Sequence, residues 1–345
     1  MNFASDNSWG AHPAVLRALS DANDGAVMGY GADPVTERAA DAVRDVLQAP
    51  DAVVRFISTG TAANALVCAQ LAPPYGRIYA HHDAHIETSE SGAPEFFTHG
   101  AKLVTLPGAD GRMSPDDLAQ AISAGAAGGL NVGQNAMVSI TNATEWGTVY
   151  DPEQIAAIAR VTHDAGLVLH MDGARFANAA AYLGCSAADL TWRAGVDALC
   201  FGGTKNGAMG AEAVVFFNPD HAVGFDFRRK QSGHVFSKSR FLAAQMLALM
   251  TDDLWLTIAA QANAKAAYLA DAVVAGGGAL LAPVQSNAVF ATIPAAAHTR
   301  AQAAGARYHL WSDDAPDGVN PVAVRLVCAW DTPDDMVHQM AALLS

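Results

Sequence analysis

The chain has 345 residues, of which 51% are hydrophobic and 16% are charged. This length predicts about two domains, and this composition is typical of a globular protein rather than a disordered one. The 20 basic and 34 acidic residues give a formal net charge of −14, which argues against binding to the phosphate backbone of nucleic acids. No apolar run approaches the roughly 18 residues of a membrane span, and the N-terminus lacks a signal-peptide pattern. The four cysteines form no CxxC motif, so we expect a cytoplasmic protein with buried thiols.

Short apolar runs alternate with helix-like stretches through the first part of the chain. The predicted strands are Val53–Ile57, Arg77–Ala80, Lys102–Leu106, Met137–Thr141, Val168–Met171 and Ala198–Phe201. The predicted helices between them are Thr61–Leu71, Pro115–Ser123, Pro152–Ala165 and Ala177–Leu183. This alternation favours a mostly parallel sheet. A further strand, Ala213–Phe217, follows after a link too short for a crossover helix, so we expect it to run antiparallel.

The pattern changes after about Asn218. Two helices are predicted next, Ser239–Met250 and the longer Asp253–Ala275, and a run of three glycines ends the second. The elements predicted after them form a small α+β unit: strand Ala288–Ile293, helix Ala295–Gly305, strands Tyr308–Trp311 and Ala323–Ala329, and helix Pro333–Leu344. We therefore expect a large domain over residues 1–250, N-terminal segment included, and a small C-terminal domain over residues 251–345.

The strongest local motif is FGGTKNG, which places Lys205 at the end of a buried strand between small residues. Lysine is seldom buried, and desolvation lowers its pKa and leaves the neutral amine free to form an imine. On this motif alone, a lysine that merely reaches solvent from a strand end is an equal alternative. A nucleotide-binding loop is disfavoured, because the spacing GxxxxGK[ST] is absent.

A second motif, HMDGAR, places Asp172 at the end of the preceding predicted strand. Open α/β sheets bind ligands at the carboxyl ends of their strands, so Asp172 and Lys205 should face one crevice. Pyridoxal phosphate (PLP) needs such a pair, a lysine for the Schiff base and an acid that keeps the pyridine nitrogen protonated. The alternative role for Asp172 is the N-cap of the helix that follows.

Two weaker motifs lie in the first third of the chain. The stretch STGTAAN opens the first strand–helix step, where hydroxyls and free backbone N–H groups can form a phosphate cradle. The stretch HHDAH ends at His85 and is followed by Glu87 and Glu90, a grouping that suggests a metal. No regular ligand spacing extends it, so no metal is expected. A histidine stacked on a pyridoxal ring is the preferred interpretation.

In this order, the motifs resemble the threonine aldolase family of fold-type I PLP-dependent enzymes, closest to its low-specificity L-threonine and phenylserine aldolase branch. The residues that carry the resemblance are Ser5–Asn7, Tyr30–Pro34, Thr59–Asn64, His85, Glu90, Asp172–Arg175, Lys205 and Val324–Val327. It implies an α/β, aspartate-aminotransferase-like fold with a mostly parallel seven-stranded sheet, helices on both faces and a small C-terminal α+β domain. It also implies a homotetramer, a dimer of dimers with shared active sites.

The resemblance implies a role for each matching residue. Lys205 would form the covalent link to PLP, Asp172 would pair with the pyridine nitrogen, and His85 would stack on the ring. Gly60 and Thr61 would hold the phosphate. The substrate carboxylate would be bound by Ser5, Arg175 and Arg325. Arg175 would also lie close to the cofactor, and Tyr30 would reach the substrate from a neighbouring subunit.

The sequence departs from the family pattern at two positions. Glu145 stands where many members have a second histidine near the substrate hydroxyl. Ser237 stands where some members have an arginine that reaches the phosphate. We therefore expect Lys230 or Lys238 to supply the positive charge, although a solvated helix face explains the basic run at 228–230 equally well.

The resemblance implies a PLP-dependent lyase that cleaves L-threonine, L-allo-threonine or related β-hydroxy-α-amino acids, phenylserine among them, to glycine and an aldehyde. His85, Glu145 or a water between them would remove the β-hydroxyl proton as the Cα–Cβ bond breaks. Two alternatives stay open. One is a PLP-dependent β-eliminating lyase acting on a serine- or tryptophan-like amino acid, and the other is a non-catalytic protein that binds phosphate or nucleotide.

Overall fold

The computed structural model describes residues 1–312 and 315–345. Its strands, β1 to β11, are Val53–Ile57, Gly76–His81, Lys102–Leu106, Gln134–Thr141, Val168–Gly173, Ala198–Gly202, Glu212–Phe216, Ala279–Leu280, Ala288–Ile293, His309–Leu310 and Val322–Val327. Its α-helices, α1 to α13, are Pro13–Asp21, Pro34–Leu47, Gly60–Leu71, His85–Thr88, Ala93–Phe97, Pro115–Gly128, Pro152–Asp164, Phe176–Leu183, Phe225–Gln231, Arg240–Met250, Leu254–Ala275, Ala295–Ala303 and Asp334–Leu344.

The large sheet has seven strands in the order β1-β7-β6-β5-β4-β2-β3. The predicted antiparallel strand is confirmed, because β7 pairs antiparallel with β1 and β6 while the other pairings are parallel. In β6, Leu199 packs in one apolar core and its neighbours Ala198 and Cys200 pack in another. Alternate side chains of a strand point to opposite faces, so both faces of the sheet are covered, as expected for the predicted α/β class.

A second sheet of four strands, β10-β11-β9-β8, is antiparallel throughout. Helices α12 and α13 and the second half of α11 pack around it, and their shared core includes Leu269, Leu326 and Met340. This is the small α+β unit that the sequence predicts at the C-terminal end.

Helix α11 belongs to both cores. Trp255 and Ile258 of its first half pack in the core of the large sheet, whereas Leu269 and Val273 of its second half pack under the small sheet. We propose that the domain boundary runs along this helix. The predicted boundary at 250/251 stays a prediction.

The first residues of the chain also pack with the small unit. Phe3 is fully buried in its core, and the backbone N–H of Phe3 donates to the carbonyl of Arg307 at 2.7 Å. The N–H of Val327 donates in turn to the carbonyl of Phe3 at 2.8 Å. We call residues 1–9 the N-terminal strap, because they connect the small unit to the large sheet.

The segment Arg240–Ala275 is long and apolar enough to cross a membrane by length and composition alone. Half of its most apolar window is buried inside the protein, and a turn at Thr251–Asp253 separates α10 from α11. Core helices pass the same test, so this segment is weak support for a membrane span.

Candidate active site

Lys205 and Asp172 lie at the carboxyl ends of two neighbouring strands. Asp172 is in β5, its register partner in β6 is Cys200, and Lys205 lies in the single helical turn just after β6. Both line a cavity of about 370 Å³. The cavity is bounded by Asn7, Ser58, Thr59, Gly60, Thr61, Asn64, His85, Ser89, Glu90, Asp172, Ala174, Thr204, Lys205 and Glu212.

The Asp172 carboxylate is buried and held from two directions. Its Oδ1 accepts the backbone N–H of Ala174 at 2.9 Å, and its Oδ2 accepts Asn64 Nδ2 at 2.8 Å. Helix α8 begins at Phe176 with Arg175 as its N-cap residue, so the alternative that Asp172 is the N-cap is wrong. The carboxylate is therefore fixed in place inside the cavity.

The amine of Lys205 is set in surroundings that favour its neutral form. Burial lowers the pKa of Lys205, and the positive charge of Arg175 lowers it further. Asp6, Asp172 and Glu212 act in the opposite direction without reversing the shift. A neutral amine is the nucleophile that imine formation requires, so these surroundings suit a lysine that binds a carbonyl.

The first turn of α3 also lines the cavity. Thr59 is the N-cap, and its hydroxyl accepts the N–H of Ala62 at 3.2 Å. A Cβ on Gly60 would meet open space, so the backbone here is accessible from the cavity. Free N–H groups and the helix dipole make such a turn an anion site. Among the described lining residues, Lys205 is the only lysine or arginine.

His85 is oriented by a chain of side chains that ends at Asp172. Its Nδ1 lies 2.8 Å from Glu90 Oε1, and the same oxygen accepts Asn64 Nδ2 at 2.9 Å. Asn64 thus connects Glu90 to Asp172. Burial is the main cause that raises the pKa of Glu90, although its bonds to His85 and Asn64 act against it.

Glu145 lies next to His85 and has one unpaired oxygen. Its Oε1 accepts the backbone N–H of His85 at 2.8 Å and the hydroxyl of Thr141 at 2.9 Å. Its Oε2 is buried and has no hydrogen-bond partner among the described residues. Burial raises the pKa of Glu145 to about 7, and the nearby charge of Asp172 adds to the effect. Such a carboxyl can take up or release a proton near neutral pH.

The N-terminal strap brings the predicted carboxylate-binding residues together. Arg175 grips Asp6 through two hydrogen bonds, Nε to Oδ2 at 2.7 Å and Nη2 to Oδ1 at 2.9 Å. Arg325 Nη2 donates to the carbonyl of Ala4 at 3.2 Å. Ser5 therefore lies between Ala4, which Arg325 contacts, and Asp6, which Arg175 contacts. The Arg325 Nε is buried without a partner among the described residues.

This arginine set adjoins the cavity. Burial would raise the pKa of Asp6, but the charges of Arg175 and Lys205 lower it below its usual value. Arg175 and Asp6 both act in turn on the pKa of Lys205, and Asn7 of the strap lines the cavity. The strap therefore connects Arg175 and Arg325 to the cavity that holds Lys205.

Three other predicted residues lie elsewhere in this chain. Tyr30 and Lys230 line a separate cavity of about 810 Å³, and Lys230 Nζ lies 4.6 Å from the centre of the Tyr30 ring. Lys238 is exposed just before α10 and lines neither of these two cavities. Within one chain, none of the three borders the cavity that holds Lys205.

Sequence reasoning missed two residues of the site. Glu212 is a buried acid at the start of the apolar strand β7, and it lines the cavity. Asn287 is buried and donates to Asp6 Oδ2 at 3.0 Å. The only sequence signal for Glu212 is an acid at the head of an apolar run, and Asn287 has none.

The cluster His81, His82 and Asp83 is the group of possible metal ligands found among the described residues. Both ring nitrogens of His81 are already engaged, Nδ1 with the N–H of Asp83 at 3.1 Å and Nε2 with the carbonyl of Gly108 at 3.2 Å. Asp83 Oδ2 accepts the indole N–H of Trp146 at 2.8 Å. These hydrogen bonds engage both ring nitrogens of His81 and one oxygen of Asp83.

The donor set of the cavity fits PLP. A buried carboxylate, a lysine of lowered pKa and an anion-binding helix start surround one space of about 370 Å³. Asp172 would hold the ring nitrogen, Lys205 the aldehyde carbon and the first turn of α3 the phosphate. This fold and this site define a fold-type I PLP-dependent enzyme, and PLP is its cofactor.

The chain belongs to the beta-eliminating lyase family, whose model matches residues 2–296, and it is a PLP-dependent lyase. It is 42% identical, over 98% of its length and 95% of the relative, to the low specificity L-threonine aldolase of Pseudomonas aeruginosa PAO1. It is similar in structure to a threonine aldolase of Leishmania major, with a TM-score of 0.92, 30% identity and 99% and 98% of the two chains covered. A serine palmitoyltransferase of S. paucimobilis with bound PLP has a TM-score of 0.69 at 14% identity, covering 100% of this chain and 86% of that one, which shows the shared fold.

Proposed function

We propose that this chain is a low-specificity L-threonine aldolase, which cleaves L-threonine, L-allo-threonine and related β-hydroxy-α-amino acids to glycine and an aldehyde. The observation that carries the proposal is the cavity shared by Lys205, Asp172 and His85 in a chain 42% identical to such an aldolase. The non-catalytic alternative has little support from this cavity, since phosphate binding alone does not need the buried Asp172 carboxylate that lines the cavity with Lys205.

The residues of the site have different roles toward the cofactor. When bound, PLP withdraws electrons from the bonds at the amino acid Cα. Asp172 would hold the ring nitrogen in its protonated form, and Lys205 would provide the amine that anchors the cofactor. His85, which Glu90 orients through its Nδ1, would cover the ring face. Glu90 and Asn64 therefore act by positioning.

The two arginines bind and orient the substrate carboxylate. Asp6 binds Nε and Nη2 of Arg175, and Nη1 has no hydrogen-bond partner among the described residues. Arg325 has Nη2 on Ala4, and the Ser5 hydroxyl can donate while it accepts the N–H of Asn7. Fixing the carboxylate fixes rotation about the substrate Cα, so the Cα–Cβ bond can be held in the orientation that breaks.

Glu145 Oε2 is the proposed acceptor of the β-hydroxyl proton. The proton moves to this oxygen as the aldehyde C=O forms and the Cα–Cβ bond breaks, and a proton returned to Cα completes glycine. An unpaired, buried carboxylate oxygen beside His85 is suited to this transfer. A positioned base contributes roughly 10²–10⁴-fold to the rate.

The test is product analysis with the purified holoenzyme. L-threonine, L-allo-threonine and phenylserine should each yield equal amounts of glycine and the matching aldehyde, detected by chromatography and an aldehyde-reducing coupled assay. Lys205→Ala should abolish this turnover. Pyruvate and ammonia from serine, without glycine or aldehyde, would instead support the β-eliminating alternative.

We propose further that the protein is a homotetramer in which each site is completed by a neighbouring subunit. The phosphate cradle at Thr59–Thr61 has no lysine or arginine of its own chain among the described lining residues other than Lys205. Tyr30 and Lys230 are packed together on another face, with Tyr30 62% exposed, so they could enter a neighbour's site as a pair. Light scattering coupled to size exclusion tests the assembly.

A cytoplasmic location is also proposed. All four cysteines are free thiols, and Cys68, Cys200 and Cys328 are buried. Free buried thiols are typical of a reducing compartment. Fractionation of the source cells would test this location.

A further inference from the structure

Glu212 is a buried acid that the proposed reaction does not use. It is the first residue of β7 and lies between β1 and β6, opposite Ile57 and Gly202 in the register. It is 6% exposed, and the remainder of its strand is apolar. Acids are rarely buried in the middle of a sheet unless they have a partner, so its contacts indicate its role.

Those contacts fall on the two residues just before Lys205. Glu212 Oε2 accepts the backbone N–H of Gly203 at 2.8 Å. The side chain of Thr204 also acts on this carboxylate, since it lowers the pKa of Glu212, and the Thr204 hydroxyl accepts the N–H of Ala211 at 3.2 Å. The turn that carries Lys205 is thus tied to β7 through one carboxylate.

The turn has little room to adopt another arrangement. A Cβ on Gly203 would lie 2.5 Å from the carbonyl oxygen of Ala211 and 2.6 Å from Met246 Sδ. The backbone of Gly203 therefore packs directly against Ala211, the residue before β7, and against α10. Glu212 and Lys205 line the same cavity.

We propose that Glu212 is a positioning residue for Lys205: it fixes the turn that presents the amine to the cavity, and its negative charge stabilises a proton on the lysine nitrogen. The proposal rests on the proposed function, in which Lys205 anchors PLP. Loss of the charge should therefore make the cofactor-linked nitrogen a stronger acid. Loss of the hydrogen bonds should loosen the turn.

The charged and titratable groups that face Glu212 are few. They are Lys205 in the turn, Asp172 from β5 and the Cys200 thiol from β6. Burial raises the pKa of Glu212 to about 7, while the bonds from Thr204 and Gly203 and the charge of Lys205 oppose the rise. Ionisation near neutral pH would then strengthen the hold on the Lys205 proton as the pH increases.

The experiment is a spectroscopic pH titration of the holoenzyme, with PLP content and thermal melting measured in parallel. In Glu212→Gln, the midpoint of the visible absorbance change of bound PLP should fall by about one pH unit, because a nearby negative charge is removed. Glu212→Asp should move the midpoint less, since the charge is kept. Glu153→Gln, at an exposed acid in α7, is the control and should match the wild type.

A folded, PLP-loaded Glu212→Gln protein with the wild-type midpoint would overturn the proposal. If that variant does not fold, Thr204→Val decides. It removes the hydroxyl that stabilises the ionised carboxylate, so the midpoint should fall by a smaller amount, and an unchanged midpoint contradicts the proposal. A wild-type protein with no PLP absorbance would instead refute the proposed function, so the two failures are distinguishable.

Discussion

Two glutamates contact His85, and their surroundings give them different tasks. Glu90 shares Oε1 between His85 Nδ1 and Asn64, which orients the imidazole ring. Glu145 instead binds the backbone N–H of His85, so it does not orient that ring. Its second oxygen is unpaired and buried, and its pKa is raised to about 7. Glu145 is therefore the better proton acceptor of the two.

Glu145→Gln should abolish the acidic limb of the pH profile. A base works in its ionised form, so the wild-type kcat/KM for L-threonine should rise with pH through about 7 as Glu145 loses its proton. In the variant this rise should disappear, and kcat should fall by roughly 10²–10⁴-fold at pH 8 while bound PLP is retained. The measurement is steady-state kinetics across the pH range.

Glu87→Gln is the matched control, because Glu87 is exposed on the same short helix as His85. Its pH profile should overlie that of the wild type. An acidic limb that survives unchanged in Glu145→Gln would assign the proton transfer to His85 or to water.

At the scale of elements, the N-terminal strap connects the two cores to the substrate residues. Phe3 is buried in the small core, and Ser5 and Asp6 follow it beside the arginines. Asn287 of the loop before β9 donates both to Asp6 Oδ2 and to the carbonyl of Cys328. The position of Asp6, and through it that of Arg175, thus depends on how the strap is seated.

Phe3→Ala should weaken both stability and substrate binding. Removing a fully buried phenyl ring typically lowers the free energy of unfolding by about 3–5 kcal/mol. The KM for L-threonine should rise more than kcat falls, because the strap carries Ser5 and Asp6 rather than the proton acceptor. Leu130→Ala, at a fully exposed side chain, should change neither. Equal KM values for Phe3→Ala and wild type would mean that the strap does not set the carboxylate site.

The sequence predicts the strands of the large sheet well, because each is a short apolar run bounded by polar or glycine residues. It fails for α1 and α2, which begin at caps on His12 and Asp33 followed by proline. Both helices carry local signals, a side-chain cap followed by proline and an amphipathic pattern, and the buried face of α2 consists of Ala39, Ala40, Val43 and Leu47. They were missed because they precede the strand–helix alternation on which the prediction is based.

Sequence reasoning identifies residues of this cavity where chemistry demands a residue type, and their roles stay predictions. Lys205, Asp172 and His85 share a cavity, as a lysine and an acid at adjacent strand ends suggest. The pairing of Arg175 with Asp6 spans 169 positions in the chain, and nothing local specifies it. Glu212 was missed for a similar reason, because its proposed role depends on the antiparallel pairing of β7 with β6, which brings it to the turn that carries Lys205.

At the scale of the whole molecule, the distribution of charge is the basis for the proposal that a neighbouring subunit completes each site. The cavity that holds Lys205 has hydroxyls and backbone N–H groups at α3, but no second lysine or arginine among its described lining residues. Tyr30, with Lys230 against its ring, is exposed on another face. If neighbouring subunits exchange these residues, an active site contains groups from two chains.

Mixing two inactive variants should therefore restore activity. A subunit carrying Tyr30→Ala keeps Lys205, and a partner carrying Lys205→Ala keeps Tyr30, so a hybrid dimer has one intact site of its two. Before purification, random pairing should give intact sites at about a quarter of all positions, because about half of the dimers are hybrids and each has one intact site of two; purification through both tags should raise this fraction. The measurement is threonine cleavage after co-expression with two affinity tags and purification through both.

The control pairs Lys205→Ala with Asp172→Ala, which share one cavity in one chain, so no hybrid site is intact and no recovery is expected. Doubly tagged hybrids that remain as inactive as this control would place Tyr30 outside the neighbour's site.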